Sequence, residues 1–403
     1  MSIFSSPFWR GFEAEGGGTY YRPVTVLTYA LDHALFGFEP WGYHLTNVLL
    51  HALTSLLVFL LARRVIRSDR AALAAGAMFA VHPVLTEAVA SVSGRSDILV
   101  TFFALAAIGL HISRRKHLRQ LAWIAVFFAV CSKEIGIVVP ILLMLADCLW
   151  PRDTADHGTV RLFVVLRGNL ANLVSLISVI ALRWYAVGNL STVTPSPLDN
   201  PLVEHGIGTA LLTLPVVLLE YLRLLVFPVS LSVDYGFSQL PVQTQFSWHL
   251  FAIAMIAVFA FVYRSRFSSP TTIFAGCLLA LPVLAVSNPF LSAGSILSER
   301  YLYLPSVGLV ILAAAACHRY RPSWLNDLGR RQAAWCILLV LLSAGTARTI
   351  HRNVDWATDE SLFASAVGET PNSVRANLNY AEVLSSRGDH LTAAKHYEHV
   401  LRS

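Results

Sequence analysis

Charged side chains are what this sequence has least of. They make up 13% of its 403 residues, while 55% are hydrophobic; a soluble domain carries roughly 25% charged residues. The mean hydropathy is +0.59. A chain this apolar cannot keep its surface in water, which excludes an ordinary soluble domain. Lysine occurs only at Lys116, Lys133 and Lys395, so the other 27 of the 30 basic residues are arginine, a bias that reads as GC-rich, bacterial coding. The five cysteines, Cys131, Cys148, Cys277, Cys317 and Cys336, sit in or at the ends of apolar runs with no CxxC spacing. That pattern predicts buried thiols and says nothing of the redox compartment. There is no Walker loop, GxSxG, HExxH or Rossmann glycine fingerprint, so soluble-nucleotide chemistry at a known loop is not indicated. The first forty residues, with "EGGGTYYRP" among them, are too polar for a signal peptide.

Long apolar runs, by contrast, are many. A helix crossing the hydrocarbon core needs about 20 mostly apolar residues. Candidate spans are 42–62, 71–91, 97–113, 119–132, 134–150, 161–184, 246–263, 270–288, 301–317 and 332–350. The net charge of +6 is concentrated in the short links 63–70, 114–119, 264–266 and 318–331. Clusters separated by spans fit the positive-inside rule and not a nucleic-acid surface, so no nucleic-acid partner is expected. With those links inside, 1–41, 82–97, 132–134 and 185–206 lie outside. A further run at 207–227 decides the topology. Pro215 interrupts it, and Glu220 and Arg223 lie one turn apart on one face, which favours an interfacial or re-entrant segment. The expected fold is all-α: a polytopic helical bundle of about 10 spans with both termini outside.

The tail changes character near 351. "ANLNYAEVLSSRGDHLTAAKHYEHVL" follows the 34-residue tetratricopeptide (TPR) pattern, with Tyr380 and Ala381 on the first helix, "RGD" at 387–389 in the turn, and Ala393, Tyr397 and Val400 on the second. Pro371 ends a preceding half-repeat containing Phe363 and Ala366. The chain thus divides into a membrane region, 1–350, with a central outer-face segment at 185–245, and a partial repeat region, 351–403. One and a half repeats are fewer than the three or so that stability needs, which suggests a cut or atypical end.

By this topology the outer side holds Arg22, Asp32, Glu39, His44, His82, Glu87, Arg95, Asp97, Lys133, Glu134, Asp234, Glu299 and Arg300. Charge beside hydrocarbon is costly unless it is paired or faces a wet cavity. The link "HPVLTEAVASVSGRSDIL" is the densest case. Glu87 and Asp97 can converge from its two ends, and paired carboxylates can serve as a base and an electrostatic or metal partner. Arg95, Lys133 and Arg300 can hold a phosphate. His82, Glu134 and Glu299 complete the polar cavity. The plainer reading is a structural ion pair of Arg95 with Glu87 or Asp97 capping a span. His44, Asn47 and His51 form a polar stripe at helical spacing, read as a helix–helix hydrogen-bond seam and not a metal site. Asn189 lies in an "NLS" glycosylation sequon on the outer side, which matters only in a eukaryote.

Four stretches in order, "YRPVTVLTYALDHALFGFEPWGYHLTNVLLH", "FAVHPVLTEAVASVSGRSDIL", "SKEIGIVVP" and "ERYLYLPSVG", followed by the repeat pattern, resemble the transmembrane-and-TPR mannosyltransferases (the TMTC family). Residues 185–245 are similar to that family's central region. The resemblance implies a multi-span glycosyltransferase of the GT-C class. Such enzymes take a sugar, here mannose, from a polyprenyl-phosphate donor and place it on a protein acceptor at the outer or lumenal face, where the repeats bind the acceptor. By motif, Arg95, Lys133 and Arg300 would hold the lipid phosphate; in this chain, if it is active as it stands, the catalytic role falls to Glu87 or Asp97. No metal ligand set is read from the sequence, although a divalent cation is a candidate cofactor. The membrane would be the bacterial cytoplasmic membrane with the repeats in the periplasm, or the endoplasmic-reticulum membrane in a eukaryote.

Related chains carry an acidic "DD"-type motif in the first outer loop, after an additional span, and that motif supplies the catalytic carboxylate of the class. Here only Glu13 and Glu15 precede "YRP", and they do not match it. The expectation is a truncated or degenerate copy, inactive as written, since a missing base costs on the order of 10²–10⁴ in rate. Two other readings compete. A non-catalytic membrane scaffold presenting its repeats predicts the charges paired and closed. A transporter predicts ionisable residues at mid-span and two similar halves, and neither is seen in the sequence.

Overall fold

The computed structural model describes residues 20–151, 164–188, 196–236, 239–244, 269–287, 294–319 and 327–402. The described residues form helices and turns, with no strand. In chain order the helices are α1 (Pro23–Phe36), α2 (Pro40–Ile66), α3 (Asp69–Ala80), α4 (Thr86–Ala90), α5 (Arg95–His111), α6 (Lys116–Gln120), α7 (Ala122–Ser132) and α8 (Val138–Leu149). They continue as α9 (Leu170–Val187), α10 (Ile207–Val226), α11 (Pro270–Val286), α12 (Tyr303–Arg319), α13 (Asp327–Asp355), α14 (Asp359–Glu369), α15 (Val374–Ser386) and α16 (His390–Arg402).

The helices are built inside out compared with those of a soluble protein. On α2, Asn47 and Thr54 are buried with Val58 and Leu61, while Leu45, Leu49, Leu53, Leu56 and Leu60 are exposed. An apolar face this long is stable only against hydrocarbon. Six helices among the described residues are long and apolar enough to cross a membrane: Pro40–Ile66, Val92–His111, Leu170–Val187, Ile207–Val226, Glu299–Arg319 and Gln332–Asp355. A seventh candidate is the pair Asp69–Ala80 and Pro83–Ala90, bent by 49°. The bend falls at His82-Pro83, where His82 is extended (φ −72°, ψ 120°) and Pro83 offers no N–H to continue the ladder.

The expected spans 119–132 and 134–150 form the shorter helices α7 and α8, of 11 and 12 residues. The expected span 246–263 lies outside the described residues. Two features differ from the sequence reading. Pro215 does not interrupt 207–227: α10 is continuous for 20 residues with Pro215 inside it, because one missing amide leaves the rest of the ladder intact. Residues 23–36, placed in an outer loop, form α1, which buries Val24, Thr25 and Asp32 and exposes Leu27, Leu31 and Leu35. The buried-thiol expectation holds for Cys131 alone; Cys148, Cys317 and Cys336 are exposed, and Cys277 is half-buried at the edge of the core.

The core lies where α2 meets α3 and α5, α5 meets α7, and α12 meets α11 and α3. Phe79, Ile98, Ile108, Val126, Leu142 and Ile311 are buried there. At the α11–α12 crossing a Cβ on Gly308 would stand 2.5 Å from the Ala275 carbonyl oxygen, so only glycine allows that approach. Beyond the bundle, α13 runs past the expected boundary at 350. It leads into α14, α15 and α16, which pack in sequence. Ala381, Leu384 and Ala393 are buried between α15 and α16, with Tyr380 and Tyr397 against them.

Candidate functional site

The link between the third and fifth helices is folded backbone. Pro83–Leu85 and Val92–Gly94 are 3₁₀ turns on either side of α4. A Cβ on Gly94 would meet the Ala88 carbonyl oxygen at 2.5 Å, so the second turn closes tightly onto α4. This compactness buries Glu87 and Asp97, each about 95% enclosed. Each must therefore find partners, since a buried charge without them is costly.

The partners come from distant segments. Glu87 accepts hydrogen bonds from the Ser298 hydroxyl (2.9 and 3.2 Å) and the Arg300 backbone N–H (3.0 Å), with the Arg300 Nε at 3.7 Å. Asp97 accepts from the Lys133 ammonium through both oxygens at 2.6 Å. Lys133 and Arg300 flank one ring: Lys133 Nζ lies 4.8 Å and the Arg300 guanidinium 5.8 Å from the centre of Tyr301. Next to them Arg22 grips Glu134 with a fork of 2.7 and 3.1 Å and stacks on Tyr20 at 4.4 Å. Arg183 approaches the same carboxylate at 3.9 Å.

Burial pulls the Lys133 ammonium down to about 8, Asp97 opposes that shift, and Arg22 and Arg300 push in the same direction as burial. Three cations therefore feel one another at this end of the bundle. Asp97, Glu87 and Glu134 supply the countercharge to these three cations. Arg and Lys donors of this kind can also bind phosphate oxygens.

The remaining residues are placed differently. Arg95 is fully buried and meets Asp32 (2.5 Å), Asn47 (2.7 Å) and the Tyr43 carbonyl (2.9 Å), stacked on Tyr29 at 4.7 Å. It fastens α1 to α2 and α5. The ion pair of Arg95 with Glu87 or Asp97 is thus replaced by one with Asp32, because α1 packs its buried carboxylate against Arg95 while Glu87 and Asp97 pair elsewhere. His82 accepts from the Val84 N–H (3.3 Å) through Nδ1, and its Nε2 bonds to the Leu225 carbonyl (3.0 Å), so both nitrogens serve the fold. Glu299 is wholly buried, accepting from the Ser232 N–H (2.8 Å) and the Tyr235 hydroxyl (2.7 Å). In the polar stripe of α2, His51 bonds to the Tyr303 hydroxyl (2.6 Å) and Asn47 to the Val89 and Ser91 carbonyls (3.1 and 3.0 Å), as a seam requires; His44 is exposed.

Sequence reasoning named Arg22 and Asp32 without a role, and passed over Tyr301, Tyr235 and Arg352. Tyr301 had a signal, since it directly follows Arg300 in "ERYLYLP". Among the described residues no three His, Cys, Asp or Glu side chains gather as a metal site. Glu87 and Asp97 are each committed to a cation of the chain. Paired in this way, Glu87 and Asp97 do not fit a resident divalent ion.

Comparison with known proteins agrees with the motifs. A family profile described as dolichyl-phosphate-mannose-protein mannosyltransferase matches residues 22–166, which include α1 to α8. Human protein O-mannosyl-transferase TMTC3 is 30% identical over 436 residues, covering 100% of this chain and 46% of the human protein. Mouse TMTC3 is 29% identical over 438 residues, with 100% and 45% covered. A Caenorhabditis elegans protein O-mannosyl-transferase is 28% identical over 410 residues, with 100% and 56% covered. This chain therefore spans about half the length of these curated relatives. All three are animal proteins, and none supports the bacterial assignment. No solved structure matches. Along its whole length the chain is a helical membrane protein similar to the TMTC-type protein O-mannosyltransferases.

Proposed function

We propose that this chain acts as a membrane glycosyltransferase, moving mannose from a polyprenyl-phosphate carrier to a protein hydroxyl at the outer or lumenal face. The observation that carries this reading is the grouping of Lys133 and Arg300 about Tyr301, paired with Asp97 and Glu87, at one end of apolar helices. A lipid phosphate sits at the membrane surface, and cations at a span end meet it there. The acceptor oxygen bonds to the sugar's anomeric carbon as the carbon–oxygen bond to phosphate breaks. The proton of the hydroxyl goes to a carboxylate, and the departing phosphate keeps the electron pair under the hold of Lys133 and Arg300. Asp97 is the favoured base. Phosphate competes with it for Lys133, and a carboxylate that loses its cation becomes more basic. Arg95 serves as the anchor of α1 and not as a phosphate ligand. The helices α14–α16 are read as TPR-type and as the acceptor platform.

A second reading is a non-catalytic scaffold, favoured by the closed pairing of Glu87, Asp97 and Arg95. The test is transfer of radiolabelled mannose from polyprenyl-phosphate-mannose to protein in membranes carrying the chain, beside Asp97→Asn. Transfer that the substitution abolishes supports the enzyme. Silence of the folded parent chain sinks it and leaves the scaffold.

A further inference from the structure

Three consecutive residues do two different things. Ser298 and Arg300 both hold Glu87, the first through its hydroxyl and the second through its backbone N–H. Glu299, between them, turns away and binds the Ser232 N–H and the Tyr235 hydroxyl. The segment 232–235 is in turn strapped to the C-terminal helices. The Ser232 hydroxyl meets the Thr370 hydroxyl at 3.2 Å, and the Ser373 hydroxyl donates to Asp234 at 2.5 Å. Arg352 adds charge from α13: it is buried, lies 4.0 Å from Glu299, and pairs with Asp355 at 3.1 Å.

We propose that Glu299 is a positioning residue that ties the C-terminal helices to Glu87, so that what binds those helices sets how Glu87 is held. A rigid backbone makes the coupling direct. Residues 299–302 form one 3₁₀ turn, and the Arg300 N–H belongs to the peptide that joins it to Glu299, so a backbone shift at Glu299 moves that N–H. Ser232, Tyr235 and Thr370 also wall a cavity of about 210 Å³, together with Arg223, Gln239 and Glu369. A polypeptide segment entering that cavity touches the strap itself. This role for Glu299 stands on geometry; only its consequence for turnover rests on the transferase reading.

The test is hydrogen–deuterium exchange on the full chain in lipid nanodiscs. Tyr235→Phe removes the hydrogen bond to Glu299 and the one the Tyr235 hydroxyl accepts from the Ser232 N–H. Thr370→Val removes the bond to Ser232 on the far side of the strap, together with the one the Thr370 hydroxyl donates to the Ala366 carbonyl, at nearly constant volume. Losing one hydrogen bond of about 1 kcal/mol raises local opening about fivefold. Both variants, each losing two such bonds, are expected to speed amide exchange in 298–302 by at least that factor, while Arg387→Gln, at the C-terminal end of α15, leaves it unchanged. Exchange that rises in 230–236 but stays at the parent rate in 298–302, in both variants, overturns the proposal. A turnover arm separates the two ideas. If the chain transfers mannose, Tyr235→Phe lowers kcat with the donor KM unchanged. Faster exchange in a chain that transfers nothing keeps the Glu299 tie and removes the transferase reading.

Discussion

Glu87 and Asp97 belong to one short link, yet each draws its cation from a different part of the chain. Asp97 takes Lys133 from the end of α7, and Glu87 takes Arg300 from the turn before α12. On the transferase reading, Asp97→Asn and Glu87→Gln should each lower mannosyl transfer by about 10²–10⁴-fold, measured as initial rate with membrane levels matched. Lys133 adds a pH dependence. Its ammonium titrates near 8, so it is charged below that pH and neutral above it. Binding of a polyprenyl phosphate should therefore weaken as pH rises from 7 to 9. In Lys133→Arg, where the cation stays charged, affinity should stay flat over the same range. An equal decline in both proteins would remove Lys133 as the titrating ligand.

Among the elements, α1 is the least expected. Its pattern is that of a helix lying across others: Thr25 and Asp32 inward, and Leu27, Leu31 and Leu35 outward. The Asp32–Arg95 pair holds it, with side chains 5% and 0% exposed. Removing one partner of such a pair leaves a buried charge alone, at about 3–5 kcal/mol. Asp32→Asn is expected to cost an amount in that range in a detergent-solubilised unfolding titration, and a change under 1 kcal/mol would mean that α1 is held by packing instead. The α11–α12 crossing gives a second test. Gly308→Ala puts a methyl against the Ala275 backbone, and overpacking of this kind costs about 1–3 kcal/mol.

On the scale of the whole molecule, the strap from Glu87 through Glu299 to Thr370 places α14–α16 at the same end as the 82–97 link. The segment at α6 stands at the other end of α5, a helix of 17 residues, or about 25 Å. Single cysteines in a chain without its native five should report this. Ser93→Cys and Ser386→Cys should label with an impermeant maleimide from one side of the membrane, and His117→Cys from the other. Labelling of Ser93→Cys and Ser386→Cys from opposite sides would rule out the strap.

The sequence by itself determined the class of solvent, the helical character, the ends where charge collects and the turn at 387–389, because these follow from local composition and from the period of a helix. It also named Glu87, Asp97, Lys133 and Arg300, since ionisable residues at span ends stand out in so apolar a chain. Pairing was decided only by the tertiary structure. Whether Arg95 meets Asp97, Glu87 or Asp32 depends on which helix arrives beside it, and residues far apart in the chain carry no local signal of that. The same holds for Glu299, whose partners Ser232 and Tyr235 lie more than sixty residues away. Packing of helices around buried charge, where a carboxylate without a partner is costly, selects those partners.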